Sequence, residues 1–166
     1  MGVIDEVLVR HVAARANFTC CDAEALRVRP RLRLAVVTCM DSRIDLFRVL
    51  GLKLGDAHVL RNGGGLATDD ALRSLVLSQQ LLGTQEVMVI QHSDCGLEGL
   101  RDDELARRLE SVSGVTPPYD FGGFSDVEKS VRTSLERIRN CPWLVRRDAV
   151  RGFVYDVTDG RLREVE

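Results

Sequence analysis

The sequence has no long apolar run, no excess of charge of one sign and no paired set of cysteines. Nothing in it approaches the ~20 consecutive apolar residues that cross a bilayer, so a membrane span is excluded. Lys and Arg total 23 against 25 Asp and Glu, a formal net charge of −2. The basic excess that marks a phosphate binder is missing, and nucleic acid is not expected as a partner. The arginine clusters (Arg27, Arg29, Arg31, Arg33; Arg146, Arg147) are balanced by acids and read as solvated surface. The start, Met1-Gly2-Val3-Ile4-Asp5-Glu6, has neither a basic opening nor a continuous apolar segment, so no secretory leader is expected. Gly2 lacks the downstream Ser or Thr of a myristoylation site. Five cysteines do not make a secreted disulfide framework, and a reducing cytoplasm is the expected compartment. There is no internal repeat and no low-complexity tract.

What is present is a chain of 166 residues, 45% hydrophobic and 29% charged, long enough for one domain with a real core. Four apolar, β-branched runs of strand length stand out, over 32–38, 57–61, 86–91 and 151–157. None alternates cleanly, which suits parallel strands covered on both faces. Thr68-Asp69-Asp70 predicts a capped helix start with acids in the first turn, running to Leu82 and stopped by Gly83. Ser125 and Glu128 have capping-box spacing, and Val127, Val131, Leu135 and Ile138 mark a helical face ended by Asn140-Cys141-Pro142. Val3, Val7, Leu8 and Val12 predict a helix at the N-terminus, followed by a polar connector reaching Pro30. A short charged helix is expected around 102–109, then a Gly- and Pro-rich loop over 114–123. Asp159-Gly160 reads as a turn that returns Arg161 to Val165 antiparallel at an edge. The expectation is a single α/β domain over 1–166: a mainly parallel four-stranded sheet, an antiparallel edge strand, helices on both faces and a projecting N-terminal helix.

The chemistry lies at the ends of two of these runs. Cys39-Met40-Asp41-Ser42-Arg43 closes the first, and His92-Ser93-Asp94-Cys95 closes the third. In an open parallel sheet, ligand sites lie beyond the carboxyl ends of strands, near the switch in strand order. Cys39, His92 and Cys95 supply two thiolates and an imidazole, a soft mixed set suited to Zn²⁺ with one of four positions left open. An open position is a place for water, and zinc makes water a nucleophile near neutral pH. Two thiolates cancel the ion's charge, so the water is acidified less than at a three-histidine site, where its pKa is ~7. A neighbour must therefore orient the hydroxide. Asp41 can accept its proton, provided that Asp41 does not fill the fourth position itself; Arg43 can restrain it through a bidentate pair.

These segments, together with Arg61-Asn62-Gly63-Gly64-Gly65 and His92-Ser93-Asp94-Cys95-Gly96, resemble the β-class carbonic anhydrases in order and spacing. The likeness spans nearly the whole chain and is nearest to the short bacterial, mycobacterial-like members. The resemblance implies Cys39, His92 and Cys95 as zinc ligands, Asp41 and Arg43 as the orienting dyad, and a Gly96 N–H that donates to substrate oxygen. It implies reversible hydration of CO₂ to bicarbonate and a proton. It further implies a homodimer or dimer of dimers, with residues 1–30 laid on a partner subunit. The glutamine that plant-type enzymes use in the substrate pocket has no counterpart to place in this shorter N-terminal region. Gly64 also departs from the small-residue pattern of many members.

Two other readings stay open on the sequence. The same site could hydrolyse carbonyl sulfide or carbon disulfide, since selectivity lies in pocket walls. Alternatively, Asp41 as a fourth ligand would make the zinc structural and the protein a non-catalytic binding module. Cys20-Cys21 read as incidental, Cys141 as packing, His11 and His58 as structural, and Trp143 as an anchor for the returning chain. Asp94 is expected to support its turn through a bond to backbone.

Overall fold

The computed structural model describes residues 2–18 and 27–166, so Cys20, Cys21 and most of the connector lie outside the described residues. Eleven elements follow in order, five of them strands: β1 (Leu34–Cys39), β2 (Ala57–Asn62), β3 (Glu86–His92), β4 (Val150–Tyr155) and β5 (Leu162–Val165). The helices are α1 (Val3–Ala16), α2 (Leu46–Leu50), α3 (Asp69–Gln80), α4 (Asp102–Ser113) and α5 (Val127–Arg139), with a 3₁₀ turn at Gly63–Gly65. One sheet of order β2-β1-β3-β4-β5 results. The first three pairings are parallel and β4–β5 is antiparallel. This is the expected architecture.

The non-alternating runs explain the central position of β1. Ala35, Val36 and Val37 are all fully buried, so the strand must be covered on both faces. Ala35, Val37, Val87 and Val89 pack under Leu75 of α3 and Val131, Leu135 and Ile138 of α5. Val36, Ile90 and Phe153 pack on the opposite face with Ile44 and Leu46. Strand order dictates this division. The chain moves from β1 to β2 in one direction and from β2 past β1 to β3 in the other, and right-handed crossovers then put α2 on one face and α3 and α5 on the other. Gly152 of β4 lets α5 approach, since a Cβ there would lie 2.4 Å from Val131 Cγ1.

Local chemistry shifts several boundaries. Arg33 adopts a left-handed φ of 51°, which breaks the first run and starts β1 at Leu34. Thr68 caps α3 as expected, with its hydroxyl accepting from Ala71 N–H. The expected capping box at Ser125 and Glu128 is not formed. Asp126 is the cap, its carboxylate accepting from Lys129 N–H at 3.0 Å, and Glu128 pairs instead with Arg132 and Arg163. A carboxylate one residue nearer the first turn out-competes the serine hydroxyl. Trp143 does not anchor the return to β4, for its side chain is 71% exposed; neighbouring Leu144, 3% exposed, takes that place in the core.

The helix α1 forms as its spacing predicts but buries nothing. Val3, Ile4, Val7, Leu8, Val9 and Val12 are each more than half exposed. No helix among the described residues is long and apolar enough to cross a membrane.

Candidate metal centre

β1 and β3 are parallel neighbours at which the strand order reverses, the point where an open sheet leaves a crevice at its carboxyl ends. Cys39 is the last residue of β1 and His92 the last of β3; Cys95 follows in the tight turn beyond. The Sγ atoms of Cys39 and Cys95 and a ring nitrogen of His92 all lie within 4.8 Å of one another, and all three residues are buried. Around a tetrahedral Zn²⁺ with bonds of ~2.0–2.3 Å, pairs of donors sit roughly 3.3–3.8 Å apart, a spacing inside the 4.8 Å bound of this cluster.

Electrostatics argue for a cation here. His92 Nδ1 lies 2.9 Å from the Ser93 carbonyl oxygen and donates to it, which leaves the Nε2 lone pair free. That buried Nε2 has no hydrogen-bond partner among the described residues. An unsatisfied buried acceptor costs ~1–3 kcal/mol, and a metal bond removes that cost. Burial pushes the Cys95 thiol up, helped by the neighbouring Cys39, while the Leu97 N–H partly opposes the rise. Two crowded, buried thiols and an orphaned imidazole nitrogen make a donor set that a divalent cation would satisfy, the thiols giving up their protons to it. The residues fit zinc.

Asp41 and Arg43 form the expected pair. Arg43 Nε donates to Asp41 Oδ1 at 3.0 Å and Nη2 to Oδ2 at 2.8 Å, while the Arg43 backbone N–H also donates to Oδ1. Those bonds, the side-chain ones first, hold the Asp41 carboxyl well below the usual carboxylate range. Asp41 Oδ2 lies 3.8 Å from His92 Nε2, so the pair borders the cluster. Gly96 follows Cys95 with open space where a Cβ would project.

Three residues support this arrangement in ways the sequence did not disclose. Arg61 reaches from β2 to donate to the carbonyls of Cys39, Asp41 and Ile44, clamping the loop after β1. Asn62 brackets the glycine turn, donating to the Leu66 carbonyl and accepting from its N–H. Asp94 departs from expectation: its side chain goes to Arg43 Nη1 at 2.6 Å, not to backbone. The triple glycine also has its reason. Gly65 has φ +65°, and a Cβ there would lie 2.8 Å from Cys39 N and 3.0 Å from Ile90 O. The turn packs its backbone directly onto the ends of β1 and β3.

The other candidates fall outside the cluster. His58 is satisfied by Ser78 Oγ at 2.7 Å and the Val28 carbonyl, His11 lies exposed on α1, and Cys141 is buried in the core under α5. A cavity of about 660 Å³ beside α5 is lined by none of the three donor residues.

Comparison with known proteins gives a consistent picture. Residues 34–115 match the family described as carbonic anhydrase. The chain is 40% identical to beta-carbonic anhydrase 1 of Mycobacterium tuberculosis (strain ATCC 25618 / H37Rv) over 165 residues, 99% of each chain. It is 32% identical to the carbon disulfide hydrolase of Acidianus sp. (strain A1-3) over 157 residues, 80% of this chain and 76% of that one. Among solved structures, the carbonic anhydrase of Streptococcus mutans superposes with a TM-score of 0.88 at 40% identity, covering 100% of this chain and 99% of that one.

Proposed function

The chain belongs to the carbonic anhydrases, in their β class, and on that premise we propose that it is a zinc-dependent carbonate dehydratase, hydrating CO₂ reversibly to bicarbonate and a proton. The observation that carries this reading is the buried trio of Cys39, His92 and Cys95, with ligand atoms within 4.8 Å and the His92 Nε2 left orphaned. When bound there, Zn²⁺ supplies the Lewis acidity that turns water into a nucleophile near neutral pH.

The chain's own residues supply direction. Asp41 stays ionised because Arg43 holds it so, and it therefore acts as an acceptor only. Oδ1 is occupied by the Arg43 N–H and Nε, whereas Oδ2, among the described residues, takes only Nη2 and faces the cluster. The remaining lone pair of Oδ2 accepts a hydrogen bond from the attacking water and turns the water's own lone pair toward the carbon. Gly96 N–H donates to the substrate oxygen on which charge gathers, an oxyanion-type contribution. Arg61 holds the loop that carries Asp41 through three backbone carbonyls. The released proton leaves to buffer, because His58 is engaged elsewhere and His11 lies on α1. Stopped-flow hydration of CO₂ with a pH indicator tests the reading: turnover is expected in the zinc-loaded protein, and its absence from mildly acidic to alkaline pH overturns it.

A second substrate reading rests on the relatives named carbon disulfide hydrolase at 29–32% identity. The same attack would then fall on carbon disulfide or carbonyl sulfide. Sulfide release measured beside CO₂ turnover in one preparation separates the two. In the non-catalytic alternative, Asp41 itself completes the metal's ligand set; the hold of Arg43 on both carboxylate oxygens argues against it.

The exposed apolar side chains of α1 support an assembled state. A helix with six exposed apolar side chains and none buried needs cover, and a second copy laid against residues 1–30 would give it, forming a homodimer or a dimer of dimers. Sedimentation of the full chain as a monomer would overturn this. The free thiols Cys39, Cys95 and Cys141 fit a reducing compartment such as the cytoplasm.

A further inference from the structure

Arg43 is gripped from two sides. Its Nε and Nη2 hold Asp41, a residue two positions away on the same loop. Its Nη1 donates to Asp94 Oδ2 at 2.6 Å and its Nη2 to the Asp94 carbonyl at 2.7 Å, across 51 residues of sequence. Asp94 lies between the ligands His92 and Cys95, in a left-handed conformation with φ 53°. That conformation turns both its carbonyl and its carboxylate toward the guanidinium.

The two grips differ in what they fix. A pair between near neighbours on one loop moves with that loop and sets no distance to the metal donors. Arg61 fixes the loop's backbone through carbonyls and touches neither carboxylate. Among the described residues, the Asp94 contacts are the hydrogen bonds that tie the Asp41–Arg43 pair to the ligand-bearing turn. The tether has work to do, because Asp41 Oδ2 is only 3.8 Å from His92 Nε2 and a small swing would place the carboxylate among the donors. A guanidinium is planar and rigid, so holding its far edge fixes the orientation of its near edge.

We propose that Asp94 is a positioning residue: by holding Arg43 against the His92–Cys95 turn, it keeps the Asp41 carboxylate beside the metal donors and out of the metal's ligand set. This rests on the carbonic anhydrase reading above. Two variants separate the tether from the turn, since both glycine and asparagine tolerate the left-handed conformation. Asp94→Gly removes the side-chain acceptor, and Asp94→Asn keeps a neutral one. The Asp94 side chain is 79% exposed, so solvent screens the pair. In full-length zinc-loaded protein, Asp94→Gly is therefore expected to lose about fivefold in kcat, with KM and zinc content unchanged. Asp94→Asn should stay within about twofold of the parent.

A second measurement is independent of turnover. In Co²⁺-substituted protein, the visible ligand-field bands should shift in Asp94→Gly as Asp41 joins the metal. They should return to the parent spectrum in Asp94→Asn and in the double variant Asp94→Gly, Asp41→Asn. A parent-like spectrum in Asp94→Gly, a full kcat in that variant, or an equal loss in Asp94→Asn each overturns the proposal. If the parent protein itself fails to hydrate CO₂, the functional reading falls, and the Co²⁺ spectra still decide whether Asp94 keeps Asp41 off the metal.

Discussion

At the scale of single residues, the molecule is governed by carboxylates held in one orientation by arginines. Arg43→Ala removes both bonds to the Asp41 side chain while touching no metal donor. Turnover should fall about 10²- to 10³-fold, as when a charge-orienting group is lost, with zinc per chain unchanged by elemental analysis. A structural zinc would predict no loss of function. Asp56 shows the same device used for stability. It accepts from the Lys53 N–H at 2.8 Å and from Arg31 Nε at 2.8 Å, and its carboxyl is held below the ordinary range, first by the Lys53 backbone and then by Arg31. A depressed carboxylate contributes stability above its unfolded pKa of ~3.9 and loses it as pH falls through the folded value. Thermal melts of the parent and Asp56→Asn should therefore differ at pH 6 and converge as the pH drops below about 4.

At the scale of elements, the glycine turn between β2 and α3 is the part least open to change. Gly65 combines a left-handed φ with backbone contact on β1 and β3, where no flexible side chain can yield. Gly65→Ala should cost roughly 1–2 kcal/mol from the conformation alone, and more as the added Cβ displaces the end of β1, and should weaken zinc retention as well. Chemical denaturation with metal analysis checks both. The helices divide by what they cover. α5 carries core, and its apolar face was visible as helical spacing; α3, whose apolar residues spread widely around it and predict a largely buried helix, buries Ala71 and Leu75 but leaves Leu81 exposed. α1 also has apolar residues at helical spacing and carries none, because spacing along the chain does not record what covers a helix.

At the scale of the whole molecule, the metal joins two strand ends that the sheet has already brought together. The core under α3 and α5 involves none of the ligands. Removal of zinc by a chelator should abolish activity and lower the melting temperature by several degrees, roughly 2–4 °C per kcal/mol lost for a chain of this size. The far-UV circular dichroism at 25 °C should persist. Complete unfolding on chelation would mean that the cluster, and not the sheet, organises the fold.

Strand and helix order, the open parallel sheet and the three donor residues were all legible along the chain. Each rests on local patterns: apolar runs of strand length, caps beside acidic first turns, and ligand types placed at strand ends. Even local chemistry had limits, since Ser125 and Asp126 compete for one helix start and only the folded backbone decides between them. Long-range partners were not legible. Asp94 reaching Arg43, Arg61 clamping the loop after β1, and Trp143 yielding the core to Leu144 depend on distances between segments far apart in sequence. Composition and periodicity, then, determined what the elements are and which atoms can bind a metal. The order in which the strands lie side by side decided that Cys39 meets His92, because the crossovers after β1 and before β3 wind to opposite sides and open a crevice at the shared end of these parallel strands.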